Sequence, residues 1–395
     1  MTARLVKIGF TNGTLSVRDG AGLTTAAAGL AQALVNHEGL RVEVFGTVTS
    51  HGVDSDMWGG LPVHVMPGSP GWSRICAPQL ERALHGAAGD LIHVHGLWLP
   101  HNRVARRVAH ALHCPLIVSA HGQLEPWAFR RSWLKKKLAW LLYQRAVLRD
   151  AGCLHALHHG EVADYRRLGL ANPVCVIPNG VDAPPACDES PPWAGYFPPD
   201  SRVLLFFGRL SSQKGVLELV HAWARVAQRS PKLRERWRLA LVGWPTDGVA
   251  EKIHRLLRDT GLQKSVWMPG AQHGRARTAC LARATAFVLP SRSEGLPMSV
   301  LEAWSHGLPV AITDACNLPD AFAGGAAFRL DLSGENLAAG LAEFLRLPDA
   351  ALRVMGECGR RLTVQEFSWA TVAARFSAVY RWLLSQGPKP ECVTS

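Results

Sequence analysis

Two carboxylates eight positions apart carry the clearest chemical signal in the chain. They lie in Ser291-Arg292-Ser293-Glu294-Gly295-Leu296-Pro297-Met298-Ser299-Val300-Leu301-Glu302-Ala303, directly after the apolar run Ala286–Leu289. Gly295 lets the backbone approach a ligand closely, and Pro297 fits the first turn of a helix that begins here. Free amides at a helix start, with the helix dipole behind them, form an anion site. A carboxylate beside such a site does not bind the anion; it accepts hydrogen bonds from hydroxyls, as on a sugar or a ribose. An acidic cap followed by a solvated helix Glu is the plainer reading of the segment taken alone.

A second segment, Phe207-Gly208-Arg209-Leu210-Ser211-Ser212-Gln213-Lys214-Gly215, leaves one predicted strand and enters a helical stretch. Arg209 offers a bidentate fork and Lys214 a point charge, a pair suited to a diphosphate, with solvated loop charges as the alternative. In the first half, His121 stands at a strand end beside Gly122, where it could donate to a sugar hydroxyl or a developing charge, or be structural. Arg18-Asp19-Gly20-Ala21-Gly22 reads as a tight turn before the first helix, made at Gly20 and Gly22. His93 and His95 share a strand face without a convincing third ligand, and Asp54-Ser55-Asp56 reads as a loop, so no metal site is expected.

These residues need a scaffold that places loops at strand ends. Short apolar runs alternate with helix-spaced stretches: Val6–Phe10, Val42–Phe45, Val63–Met66, Leu91–Val94, Leu116–Ser119, Cys153–Leu157 and Val174–Ile177. The segment between 182 and 200 holds six prolines and reads as a linker. The alternation then restarts at Val203–Phe207, Trp237–Val242, Val266–Met268, Ala286–Leu289, Pro309–Thr313 and Ala326–Leu330. The expected class is α/β: two tandem doubly wound, Rossmann-like parallel sheets facing a central cleft. The expected boundaries are 1–183, a linker over 184–200, 201–365, and a C-terminal helix over 366–395 returning to the first domain.

The chain has 395 residues, a formal net charge of +12 and nine cysteines without a C-x-x-C pair. The charge favours an anionic partner, and the cysteine pattern suits a reduced cytoplasmic protein. The N-terminus reads as the approach to a first strand rather than a signal peptide, and no run reaches the roughly 18 apolar residues of a membrane span. Between Arg103 and Arg149 ten Lys and Arg residues face one acidic residue, Glu125, with Trp127, Phe129, Trp133, Trp140 and Tyr143 interleaved. The mix suits an acidic lipid surface on the cytoplasmic face of the inner membrane, unless the aromatics are core and the cations solvated. No nucleic-acid recognition module accompanies the charge.

Taken together, the Glu294-x7-Glu302 spacing, the Gly208-Arg209…Lys214-Gly215 loop and Ile177-Pro178-Asn179-Gly180-Val181-Asp182 resemble a retaining glycosyltransferase of the GT-B fold. The family is the large bacterial polysaccharide-assembly one, glycosyltransferase family 4, group 1. His121-Gly-x-Leu-x-Pro-Trp127, Val94-His95-Gly96-Leu97-Trp98 and Cys316-Asn317-Leu318-Pro319 are similar to a subgroup of exopolysaccharide and O-antigen gene sets. The resemblance implies that Arg209 and Lys214 contact the donor diphosphate, that Glu294, Gly295 and Leu296 meet the transferred hexose, and that Glu302 holds the ribose. It implies that His121 reaches the donor sugar, and it places Gly20 and Gly22 in a glycine loop. Pro297 replaces a common Gly and removes an amide, leaving Met298 and Ser299 to contact phosphate. The implied partners are a nucleotide sugar and a glycan or polyprenyl-diphosphate-linked acceptor, with no cofactor or metal. A sugar-nucleotide epimerase of the same fold would instead convert donor alone. A catalytically silent scaffold of an assembly complex would release no nucleotide. No G-x-G-x-x-G follows a strand, which disfavours a nicotinamide dehydrogenase.

Overall fold

The computed structural model describes residues 5–37, 39–48, 52–67, 77–87, 89–126 and 133–394, without the side chains of 17, 18, 21, 67 and 77. Trp127, Phe129, Arg130 and Arg131 of the basic stretch lie outside the described residues. The chain divides into two compact units, residues 1–180 with 367–395, and residues 181–366.

The first unit runs β1 (Val6–Asn12), α1 (Val17–Val35), β2 (Leu40–Val48), β3 (Val63–Pro67), α2 (Ala77–Ala87), β4 (Leu91–His95), α3 (His101–Leu112) and β5 (Leu116–Ser119). It continues through α4 (Trp133–Ala139), a π-helical turn (Trp140–Gln144), α5 (Arg145–Arg149), β6 (Cys153–Ala156), α6 (His159–Arg167) and β7 (Val174–Val176). The second unit holds β8 (Arg202–Phe207), α7 (Val216–Arg229), α8 (Pro231–Arg236), β9 (Trp237–Val242), α9 (Val249–Thr260), β10 (Val266–Gly270) and α10 (Gly274–Arg283). It is completed by β11 (Ala286–Leu289), α11 (Met298–Ser305), β12 (Val310–Thr313), α12 (Pro319–Ala323), β13 (Ala327–Leu330), α13 (Gly334–Arg346) and α14 (Asp349–Glu366). Finally α15 (Trp369–Leu383) and β14 (Val393–Thr394) rejoin the first unit.

The strands are continuous apolar runs because helices cover both faces of each sheet. The first sheet has the order β14-β7-β6-β5-β4-β1-β2-β3, parallel except for β14 on β7. The second has the order β10-β9-β8-β11-β12-β13, all parallel. In both sheets the winding reverses once, between β1 and β4 and between β8 and β11. Loops leaving the carboxyl ends of such strands diverge and open a binding crevice.

Three local expectations change. The turn around Gly20 and Gly22 is not a loop: α1 already begins at Val17, and Gly20 N donates to Ser16 O at 3.0 Å. Gly20 is small for packing, since a Cβ there would lie 1.8 Å from Thr24 Oγ1 and 2.7 Å from Thr14 Cγ2. Pro297 is the residue before α11, in an extended conformation, not a member of its first turn. The proline-rich segment has no helix or strand, yet it packs as part of the second unit. Trp193 and Phe197 are buried, Trp193 meets Trp267 edge-on at 5.9 Å, and Arg283 Nε donates to Glu189 O at 3.0 Å.

The C-terminal helix α15 packs on α1. Ser368 caps it through Thr371 N at 3.2 Å, and Trp369 fills space over two glycines. A Cβ at Gly29 or Gly180 would come within 2.3 Å of the Trp369 ring.

Candidate active site

At the reversal point of the second sheet, the loops after β8 and β11 come together. Gly215, at φ +65°, ends the first loop, and a Cβ there would meet Pro290 O at 2.0 Å. Only glycine fits that position, so the two loops touch along their backbones. Arg292 N donates to Gln213 O at 2.8 Å and Gln213 Nε2 to Ser293 O at 2.9 Å. The stem of Lys214 lies against Gly208, 3.4 Å from where a Cβ would stand. Across the junction Lys214 Nζ pairs with Glu294 Oε1 at 2.7 Å, and Ser291 Oγ donates to the same oxygen at 2.6 Å. Glu294 is 9% exposed, and both of these side-chain contacts fall on Oε1, none on Oε2. Its backbone is fixed on both sides: Glu294 N donates to Ala315 O at 3.0 Å, and Asn317 Nδ2 donates to Glu294 O.

Arg209 is half-buried, and its guanidinium has no ion pair or hydrogen bond among the described residues. At the start of α11, Val300 N bonds Pro297 O at 2.9 Å. The amides of Met298 and Ser299, and the buried Ser299 Oγ, have no partner among the described residues. Gly295 and Leu296 lie in the loop between Glu294 and this helix start. The sequence separation between Arg209, Lys214, Glu294 and Ser299 is thus removed by the sheet order. Their local chemistry is two cations, two free amides, a hydroxyl donor and one open carboxylate oxygen.

Glu302 lies on α11 with its carboxylate paired to Arg277 of α10, whose guanidinium also sits 5.5 Å from the Phe207 ring centroid. Arg277 went unnoticed in the sequence because no motif frames it; a cation shortly after the carboxyl end of β10 is the one signal it offers. A carboxylate has about four acceptor positions, so the pair leaves Glu302 capacity for further hydrogen-bond donors.

In the first unit His121 follows β5 at φ +52°, a strained backbone for a residue with a Cβ. Its Nε2 is 3.2 Å from His95 Nδ1. His95 Nε2 is buried without a partner among the described residues. An orphaned lone pair costs less than an orphaned N–H, so His95 Nδ1 donates and His121 Nε2 accepts. His121 then carries its proton on Nδ1, which has no partner among the described residues. Beneath this pair, His93 Nδ1 meets Tyr380 Oη at 2.8 Å, and His93 Nε2 meets Ser119 Oγ at 2.7 Å. Ser119 Oγ also meets His155 Nδ1 at 2.7 Å, and His155 Nε2 donates to Ile177 O at 2.7 Å. Burial pushes the imidazoles down: His121 to about 3, His155 to about 4, and His93 and His95 well below 6.5, each helped by neighbouring histidines except His155.

The buried Glu161 holds the His121 loop from behind, accepting from Gly122 N and from Leu157 N, the latter at 2.6 Å. Burial raises its carboxyl from 4.5 to about 7 against those two hydrogen bonds. Glu161 and His95 escaped the sequence reading as positioning groups, since both act across strands. Among the described residues no three His, Cys, Asp or Glu side chains gather as a metal site. His93 and His95 are hydrogen-bonded into the imidazole network, and Ser55–Trp58 forms a short 3-10 turn with Trp58 buried.

Two family models match the chain, a glycosyl transferase 4-like domain over residues 21–180 and glycosyl transferases group 1 over residues 201–346. A GDP-mannose:cellobiosyl-diphosphopolyprenol alpha-mannosyltransferase of Xanthomonas oryzae pv. oryzae is 29% identical over 265 residues, 65% of this chain and 63% of its own length. The match to its Xanthomonas campestris counterpart spans 59% of that protein, so the chain covers about six-tenths of both. Among solved structures, Anabaena HepE in complex with UDP and glucose superposes at a TM-score of 0.76 with 18% identity, over 95% of this chain and 99% of HepE. Sucrose-phosphate synthase from Thermosynechococcus elongatus superposes at 0.76 with 20% identity, over 96% and 99%. Two parallel-sheet α/β units, the loops at the β8/β11 reversal and both family matches agree: the chain belongs to the group 1 glycosyltransferases and has the GT-B fold.

Proposed function

We propose that the protein moves a hexose, with retention of anomeric configuration, from a nucleotide-diphosphate sugar to a glycan or polyprenyl-diphosphate-linked acceptor. The setting is exopolysaccharide, O-antigen or capsule assembly on the cytoplasmic side of the inner membrane. The observation that carries this reading is the Lys214–Glu294 pair at the β8/β11 reversal, flanked by Arg209 and the open amides of α11. An arriving donor can divide that pair: its diphosphate takes Lys214, Arg209, Ser299 and the helix start, and a hexose hydroxyl takes Glu294. Glu302 accepts from the ribose, and Gly295 and Leu296 border the sugar. His121 Nδ1–H donates to the sugar. The similarity to a diphosphopolyprenol mannosyltransferase supports a lipid-linked acceptor.

In the step proposed, the bond from the anomeric carbon to the phosphate oxygen breaks, and the nucleoside diphosphate leaves with that electron pair. The acceptor hydroxyl bonds to the anomeric carbon from the same face and passes its proton to the departing phosphate oxygen. Fixed cations and helix amides neutralise the leaving group, and no metal is required.

The test screens UDP-, GDP-, ADP- and dTDP-sugars for a raised unfolding temperature, then follows the stabilising donor with and without lipid-linked acceptor. One donor class should protect, Glu294→Ala should abolish turnover, and EDTA should leave it unchanged. Nucleotide release should depend on acceptor. Epimer formation from donor alone would replace this reading with the epimerase; wild-type turnover in Glu294→Ala would remove the site assignment.

A further inference from the structure

The basic, aromatic stretch of the first unit folds in a way its sequence does not announce. From Trp133 to Arg149 it forms one continuous helical rod, α4, the π-turn and α5, spanning roughly 25 Å at the α-helical rise. Trp140, Tyr143, Gln144, Val147 and Leu148, at helical spacing, face the core, where Gln144 Oε1 accepts from Trp98 N at 2.9 Å and Asn102 Nδ2 at 3.1 Å. Of the aromatics singled out as interfacial, Trp140 and Tyr143 are therefore partly buried, while Trp133 stays 52% exposed and is joined by leucines. Leu134, Leu138, Leu141 and Leu142 are 59–69% exposed. With Trp133, this short stretch holds five of the twelve exposed large hydrophobics among the described residues; the others are scattered. Scattered apolar residues need no explanation, but a contiguous exposed stripe marks an interaction surface.

Cations frame the stripe. Lys135, Arg145 and Arg149 are exposed, with no ion pair among the described residues, while Lys137 reaches only the Trp133 ring at 5.6 Å. No Asp or Glu occurs from Pro126 to Arg149. Arg106 and Arg107, by contrast, are neutralised by Asp150 and Glu81, so they do not contribute.

We propose that this face docks on an anionic phospholipid bilayer, the leucines entering the acyl boundary and the lysines and arginines meeting lipid phosphates. A lipid surface supplies hydrocarbon and anions in the same plane. A second copy of the chain would set Lys135, Arg145 and Arg149 against like charges, in a protein of net charge +12. The inference is independent of the donor site, so its failure leaves the proposed reaction standing.

The test is co-sedimentation of the full chain with phosphatidylcholine vesicles, with and without phosphatidylglycerol. Wild type should bind the anionic vesicles about tenfold more tightly or better, and added salt should weaken that binding. Leu138→Glu with Leu142→Glu should cut binding at least about tenfold, with an unchanged circular dichroism spectrum and unfolding temperature. Lys135→Gln with Arg145→Gln should lose about fivefold per cation on anionic vesicles only. A milder pair, Leu138→Ser with Leu142→Ser, serves if the glutamates unfold the chain. Wild-type vesicle binding by folded leucine variants would overturn the proposal. So would a wild-type dimer that these variants make monomeric, without vesicle binding.

Discussion

The two units build polar sites at the same topological place by opposite means. At the carboxyl ends of β4, β5 and β6, the first unit buries neutral imidazoles and connects them to one another, to Ser119 and to Tyr380. At the ends of β8 and β11, the second unit keeps charge, and matches it in short-range pairs, Lys214 with Glu294 and Arg277 with Glu302. A buried network of neutral groups fixes geometry but penalises any proton added to it. A paired charge at a loop can exchange its partner for a ligand. The first arrangement holds a side chain still; the second is made to be rearranged.

Acid should break this comparison most visibly. His93, His95, His101, His121 and His155 are all held below the usual 6.5, His101 to about 3. The unfolded chain takes up protons below about 6.5 while the folded chain resists. Their stabilisation is therefore full above 6.5 and falls as pH drops towards the folded values, by about 1.4 kcal/mol per pH unit for each histidine. Glu161 acts oppositely: its contribution is present below 4.5 and lost as pH rises through about 7. Five groups outweigh one. Between pH 7 and 5, amide hydrogen-exchange protection should fall by several kcal/mol in β4–β6 and much less in β8 and β9. Equal losses in both sheets would erase the distinction.

The next largest effect concerns the exchangeable pair. Lys214→Met should lower transferase turnover about 10²–10³-fold. It should also cost about 1–3 kcal/mol, because the buried Glu294 loses its Lys214 partner. Adding Glu294→Gln should restore the unfolding temperature but not the turnover. Recovery of both would make the pair purely structural.

The glycines give a smaller, signed contrast. Gly215→Ala forces a Cβ against Pro290 O at positive φ and should destabilise by about 2 kcal/mol. Gly22→Ala, inside α1 with nothing within 4 Å of the new methyl, should stabilise by about 0.5–1 kcal/mol. Thermal unfolding of both variants checks the signs. The smallest effect is Arg277→Ala, which should raise the donor KM roughly two- to fivefold while kcat holds, as expected for a partly exposed ion pair.

The sequence by itself determined the strands, the proline-rich break and the loops that carry Arg209, Lys214, Glu294 and Ser299. Each of these is a local property: an unbroken apolar run, a lost amide, or a glycine where a chain must turn. It misplaced the start of α1, where Gly20 and Gly22 look like a turn although packing against Thr14 and Thr24 rewards a helix. It also could not say which face of the 133–149 segment turns inward, because tryptophans and leucines there follow the same spacing and only the neighbouring α3 and its Asn102 choose between them. The tertiary structure alone decided that Glu294 takes Lys214, that Glu302 takes Arg277, and that His95 sets the tautomer of His121. Those are pairings across strands and loops far apart in the chain, and they exist only once the order of parallel strands has been chosen.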